Sequence, residues 1–206
     1  MELRYNLLTE KDLPSLVDCV VKVFLYEEPM TKSLGINESE FKFFADTICK
    51  KMIRDRMSYI CKDENKVVGF CLNEDLISNP QRGLEQVTYK MNPIFNLLET
   101  LDNIYLRDKE KKKNLFFHLF MVGSLPEYRG KGIAKELTQK SIDFARKRNF
   151  DRIVTEATNI KSQNLFEKYF QFKMINKINY KTFNFDNTIP FKDIGEKSCD
   201  LMELKL

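Results

Sequence analysis

No run of apolar residues in this chain approaches the roughly 18 to 20 needed to cross a bilayer. The amino terminus, MELRYNLLTE, is polar where a secretory leader would be apolar. Those absences point to a soluble, cytosolic protein without a membrane partner. Disulfide and zinc frameworks are missing too. The five cysteines (Cys19, Cys49, Cys61, Cys71, Cys199) are odd in number and none stands in a CxxC pair, so reduced, mostly buried thiols and no metal site are expected. Histidine occurs once, at His118, and suits a core or sheet-face position. The excess of charge of one sign is small: the formal net charge is +4, and the one dense basic run, Arg107 to Lys113, is interrupted by Asp108 and Glu110. That pattern suits a solvated loop and lacks the broad basic face with interleaved aromatics that nucleic acid requires.

What is present suffices for one core. At 206 residues and 43% hydrophobic, the chain fits a single domain over 1–206, without repeats or linkers. Residues 3–8 read as a first strand, and Thr9 to Asp12 come close to a capping box opening a helix to about Tyr26, ended by Pro29. A second helix fits Ser39 to Arg56. Ser58 to Cys61 and Val67 to Leu72 fit a hairpin turning at 62–65. Pro80 and Gly83 mark an irregular connection, and Pro93 opens a helix with Leu97, Leu98, Leu101, Ile104 and Tyr105 as its apolar stripe. After residue 150 come a short strand to Ala157, a short helix from Ser162 to Tyr169, and closing strands at 172–185 and 200–206.

Between these lies the most informative segment, Leu115 to Ala145: a strand apolar to Val122 except at His118, a charged turn, and a helix with Ile133, Ala134, Leu137, Ser141, Phe144 and Ala145 on one face. The join, Arg129-Gly130-Lys131-Gly132-Ile133-Ala134, is suited to an anion. A helix start leaves backbone N–H groups unpaired and carries the positive end of the dipole. Gly130 and Gly132 remove side chains that would hold a diphosphate away, and Arg129 and Lys131 add charge at the rim. A P-loop is excluded because Lys131 precedes Gly132 rather than Ser or Thr. A dinucleotide fingerprint is excluded because Lys135 stands where a third small residue belongs.

The pattern Arg-x-x-Gly-x-Ala at 129–134 resembles the acetyl-CoA pyrophosphate loop of the GNAT N-acetyltransferase superfamily. Over about 4–206 the likeness takes the form of the insect-type arylalkylamine N-acetyltransferases. Three further islands carry it: Phe24-Leu25-Tyr26-Glu27-Glu28-Pro29, Val68-Gly69-Phe70-Cys71-Leu72-Asn73, and the stretch from Asn159 to Lys168. The resemblance implies an α/β (α+β) fold, a three-layer α/β/α domain around a mixed, centrally splayed sheet. It also implies acetyl-CoA as cosubstrate, bound by the loop, by Val122 and Ser124 of the splayed strand and by Asn159, with a small amine as the other substrate and a monomer or homodimer as the assembly. Gly123 is consistent with a bulge in that strand.

In that family the glutamate matching Glu28 is the general base. The chemistry needs a base, a desolvating pocket or both, because an alkylamine of pKa ~10.4 is almost wholly protonated at neutral pH and cannot attack a thioester in that form. The alternative is that Glu27 and Glu28 are solvated charges ending a helix, although carboxylates there oppose the dipole. Thr158 and Ser162 match two hydroxyl residues near the thioester, as catalytic candidates. Helix capping explains them, and Asn159, nearly as well. Two departures stand out. Phe166 replaces the tyrosine that many superfamily members use as general acid, which leaves the acid unassigned. Tyr169-Phe170-Gln171-Phe172 has one residue more than the family's Leu-Gly-Phe and no glycine. The leading expectation is acetyl transfer to a small arylalkylamine by direct attack. The alternatives are acetylation of a polyamine or other aliphatic amine, a non-catalytic CoA-binding module, and RNA binding through 107–113.

Overall fold

The computed structural model describes residues 2–77 and 88–206. Its strands are β1 (Leu3–Leu7), β2 (Tyr59–Asp63), β3 (Lys66–Asp75), β4 (Phe116–Ser124), β5 (Arg152–Ala157), β6 (Lys173–Asn179) and β7 (Ser198–Lys205). Its helices are α1 (Leu13–Glu27), α2 (Pro29–Ser33), α3 (Glu38–Asp55), α4 (Asn92–Leu106), α5 (Ile133–Lys147) and α6 (Ile160–Asn164). The strands form one mixed seven-stranded sheet in the order β1-β2-β3-β4-β5-β7-β6. β1 to β4 pair antiparallel, β4 and β5 parallel, and β7 lies antiparallel to both β5 and β6.

Side chains of β4 alternate between two helical layers, as the pleat requires. Phe116 meets Tyr105 of α4 edge-on at 5.6 Å, whereas Phe117 meets Phe144 of α5 at 6.0 Å. Phe44 and Phe95 join α3 to α4 at 6.0 Å. On α5 the expected face is buried at Ile133, Leu137, Ser141 and Ala145, joined by Thr138 and Ile142. Helices on both faces of the sheet give the expected three layers.

The central splay has a clear origin. β4 and β5 pair only at Phe116 with Arg152, Phe117 with Ile153 and His118 with Val154, although β4 continues to Ser124 and β5 to Ala157. Past His118 the β4–β3 register slips, with Leu72 opposite Met121 and Asn73 opposite Leu119, so Phe120 is the extra residue. A bulge bends its strand and increases local twist, which turns the rest of β4 away from β5. The bulge is therefore at Phe120 and not at Gly123. Gly123 is small for another reason: a Cβ there would lie 2.6 Å from Val23 Cγ1 of α1.

Four local expectations change. Pro29 does not merely end α1; it opens α2, with Glu28 as the capping residue. Ile104 of α4 stands at the surface, 36% exposed. The strand expected at 172–185 stops at Asn179, where Tyr180 turns inward and donates its hydroxyl to the Thr158 carbonyl at 2.8 Å. The helix expected at 162–169 starts at Ile160, and 165–169 wind as a π-turn that takes up the extra residue while keeping Phe166 buried. Gln171 then adopts φ 60°, the left-handed conformation that glycine would favour. Pro80 and Gly83 lie outside the described residues.

Candidate active site

The turn between β4 and α5 is anchored by side chains. Tyr128 donates its hydroxyl to Asp63 of β2 at 2.7 Å, and the Lys131 ammonium lies 4.6 Å from the Tyr128 ring centre. Gly130 and Gly132 take φ of 77° and 74°, and a Cβ built on either would meet nothing within 4 Å. Both glycines are thus needed for backbone conformation, and open space lies beside them. The Glu136 amide is bonded to the Gly132 carbonyl at 3.0 Å, so the amides of Ile133, Ala134 and Lys135 lie ahead of the helix's own ladder. Positive-φ glycines, a helix start and open space make a cradle that fits a pyrophosphate. Arg129 is not a free rim charge: its guanidinium pairs with Glu27 at 2.6 Å. That bond sets the turn beside the end of α1.

One residue beyond Glu27, the chain reverses at Glu28, which has φ −79° and ψ 125°. Its side chain folds back as the cap of α2. Oε2 accepts the Thr31 amide at 2.6 Å and the Thr31 hydroxyl at 2.8 Å, and Oε1, also buried, has no donor among the described residues. Burial raises the pKa of Glu28, opposed by the Thr31, Met30 and Thr158 groups that favour the charged form. Glu28 is thus a buried carboxylate with one oxygen available. The solvated-charge alternative fails for Glu28, and Glu27, though partly exposed, is paired with Arg129.

Glu28 opens onto a cleft walled by Phe24, Phe41, Phe44, Phe95, Phe120 and Phe166. Val122, Thr158, Asn159 and Ser162 also line it. Val122 and Ser124 pair with Cys71 and Gly69 on the β3 side, and both lie beyond the last β4–β5 pair. Asn159 and Ser162 are engaged as caps: Asn159 Oδ1 accepts the Lys161 and Ser162 amides, each at 3.0 Å, and Ser162 Oγ donates to the Asn159 carbonyl at 2.9 Å. Capping and a place on the cleft wall coincide in these residues.

Sequence reasoning missed the ionic core behind the cleft. His118 is buried between two carboxylates, with Nδ1 3.1 Å from Glu74 Oε1 and Nε2 2.7 Å from Glu156 Oε2. Lys51 of α3 joins Glu74 at 2.6 Å and Asp55 at 2.5 Å. Burial disfavours the imidazolium, but the Glu156 and Glu74 charges outweigh it and hold the His118 pKa well above its ordinary value. The signal available in sequence was an acidic residue in each of two strands, Glu74 in β3 and Glu156 in β5. Which of them would meet His118 depends on strand register. Elsewhere all five cysteines are buried and unpaired. No helix among the described residues is long and apolar enough to cross a membrane.

A splayed parallel pair, a glycine cradle at the following helix start and a buried carboxylate thus come together from β4, α5 and the α1–α2 junction. Residues 25–172 match the model of the Acetyltransferase (GNAT) family, and the chain belongs to that family. Its fold is shared with solved structures of low sequence identity. The C-terminal condensation domain of Ebony in complex with beta-alanyl-dopamine is 18% identical at a TM-score of 0.89, with all of both chains covered. Arylalkylamine N-acetyltransferase 2 from Aedes aegypti is 20% identical at 0.83, covering 100% of this chain and 99% of that one. A Drosophila melanogaster polyamine N-acetyltransferase is 14% identical at 0.79, with all of both chains covered. Enzymes of this family use acetyl-CoA.

Proposed function

We propose that this protein transfers acetyl from acetyl-CoA to the primary amine of a small arylalkylamine, by direct attack, with Glu28 as general base. The observation that carries this reading is the undonated, buried Oε1 of Glu28 in a phenylalanine-walled cleft. Deprotonating an amine of pKa ~10.4 at neutral pH costs roughly 4.6 kcal/mol. A desolvated cleft lowers the pKa of the ammonium and raises that of Glu28, which narrows the gap between donor and acceptor.

The amides from Gly130 to Ala134, with Lys131 at the rim and Arg129 fixing the turn through Glu27, would hold the pyrophosphate, and the β4 backbone at Val122 and Ser124 would take the pantetheine arm. Bound acetyl-CoA supplies the activated acyl group. Thr31 holds Glu28 Oε2 and so aims Oε1 at the ammonium; Thr158 faces the same carboxylate, and Ser162 and Asn159 border the acyl end. Much of the rate gain on this reading comes from proximity and orientation. An aliphatic diamine or polyamine is the second reading, favoured by another carboxylate on the same cleft, that of Glu156. Thiol release from acetyl-CoA, followed across aromatic monoamines, diamines, polyamines and a lysine peptide, tests both. Turnover of small amines supports the reading, and silence across the panel with CoA still bound refutes it.

A further inference from the structure

Thr158 lines the cleft together with Glu28, but it lies beyond both ladders of β5. The last β4–β5 pair is His118 with Val154, and the last β5–β7 pair is Ala157 with Asp200. Its carbonyl instead accepts the Tyr180 hydroxyl at 2.8 Å. Tyr180 stands just past the last β6–β7 pair, Asn179 with Ser198, and its amide is tied to the Lys197 carbonyl at 3.2 Å. The ring is fully buried behind the cleft wall rather than in it. Burial first, then the neighbouring Cys199 and Glu28 groups, push its pKa up. The hydroxyl therefore stays protonated, and its single proton is committed to Thr158. Tyr180 does not replace the acid missing at Phe166.

The aromatic block around Tyr180 also reaches the other partner of Glu28. Phe191 is fully buried, edge-on to Tyr180 with ring centres 5.9 Å apart, and stacks on Phe183 at 5.6 Å. The preceding residue, Pro190, accepts the Ser33 hydroxyl at 2.9 Å through its carbonyl. Ser33 ends α2, the helix that Glu28 caps through Thr31. Thr31 and Thr158 both favour the ionised Glu28 carboxylate against burial, and each stands on an element fastened to the same block. A hydroxyl on a chain end without strand pairing keeps its aim only where its peptide is held from behind.

We infer that Tyr180 is a positioning residue for the proposed base: its hydroxyl fixes the Thr158 peptide and so keeps the Thr158 side chain facing the Glu28 carboxylate. This rests on the reading of Glu28 as the base. Tyr180 acts from outside the cleft, through Thr158. The titratable groups that sense Glu28 from the sheet side are Tyr180 and Cys199, and burial keeps both protonated. The acidic limb of kcat/KM thus reports Glu28 itself.

The test follows thiol release from acetyl-CoA with tyramine, or with 1,4-diaminobutane where that amine is turned over faster. In Tyr180→Phe the acidic limb should move to higher pH by roughly half to one unit, because a group that favours ionised Glu28 is released. On that limb kcat/KM should fall roughly three- to tenfold. Thr158→Val, which leaves Tyr180 in place, should move the limb in the same direction. The double variant should shift it no further than Thr158→Val alone. A purely structural Tyr180 predicts lower thermal stability with the limb unmoved, and that result overturns the inference. Shifts that sum in the double variant overturn it as well. An unmoved limb in Thr158→Val does so without any change to the buried core, since Tyr180 would then have nothing to act through. With Glu28→Gln impaired at pH 7, each of these leaves the base reading intact. An unimpaired Glu28→Gln, or no turnover of either amine, overturns both.

Discussion

Glu28 and Thr31 form a closed pair: one glutamate oxygen accepts both the amide, at 2.6 Å, and the hydroxyl, at 2.8 Å, of Thr31. The other oxygen is left undonated beside the cleft. A cap of a five-residue helix therefore aims the proposed base.

Removing that cap hydroxyl should alter the pH profile of the reaction. Burial raises the pKa of Glu28 and the Thr31 bonds lower it, so Thr31→Val should move the acidic limb of kcat/KM to higher pH. Glu28→Gln should lose roughly 10²- to 10⁴-fold at pH 7 and recover partly at high pH, where free amine is available without a base. Unchanged activity of Glu28→Gln at pH 7 would remove Glu28 from its role.

Gly132 combines φ 74° with open space around its missing Cβ. In Gly132→Val the left-handed backbone is disfavoured by roughly 1–2 kcal/mol, and the side chain fills the space a pyrophosphate would use. CoA affinity by calorimetry should fall at least tenfold. Full affinity in this variant would refute docking at the turn.

A Cβ on Gly69 of β3 would lie 2.5 Å from Ile133 Cγ2, the first residue of α5. Gly69→Ala should therefore destabilise the fold by roughly 1–3 kcal/mol and displace the helix start that forms the cradle. Ile133→Ala in the same chain should recover part of the loss. Two penalties that simply add in urea titrations would show that the contact is not the cause.

The His118 cluster has a defined sign with pH. The folded-state pKa lies above the unfolded value of ~6.5. Its stabilisation is thus fully present below about pH 6.5 and is lost as pH rises through the folded value. His118→Asn should cost roughly 3–5 kcal/mol near pH 6, and the gap to wild type should narrow by pH 9. A gap that widens with pH would contradict an imidazolium between Glu74 and Glu156.

Gln171 holds φ 60° after the π-turn. Gln171→Gly should stabilise the protein by about 0.5–1 kcal/mol, since only glycine adopts this conformation without a Cβ penalty. Thermal unfolding measures it. A loss of stability would mean that the glutamine side chain makes a contact worth more than the strain.

Much of the fold was legible because its signals are local. The Thr9–Asp12 capping box, the apolar face of α5 and the glycines of the turn depend on residues within a few positions of one another. Glu28 and the loop were legible as separate islands, one by its chemistry and the other by its backbone demands. Their proximity was not, because the Arg129–Glu27 bond at 2.6 Å spans a separation that no local pattern encodes. Gly123 was misassigned for the same reason, since its small size answers to Val23 on α1.

By itself, then, the sequence determined where α3, α4 and α5 start to within a residue or so, which faces are apolar, and that a helix terminus after β4 is shaped for a phosphate. Each follows from periodicity, capping or backbone freedom, and these act over short range. Only the tertiary structure decided where β4 leaves β5, which of the adjacent glutamates is buried, and that His118 lies between Glu74 and Glu156. Sheet register and helix packing bring those groups together from distant parts of the chain. A carboxylate acquires its protonation behaviour from the low-dielectric surroundings and charges it meets there.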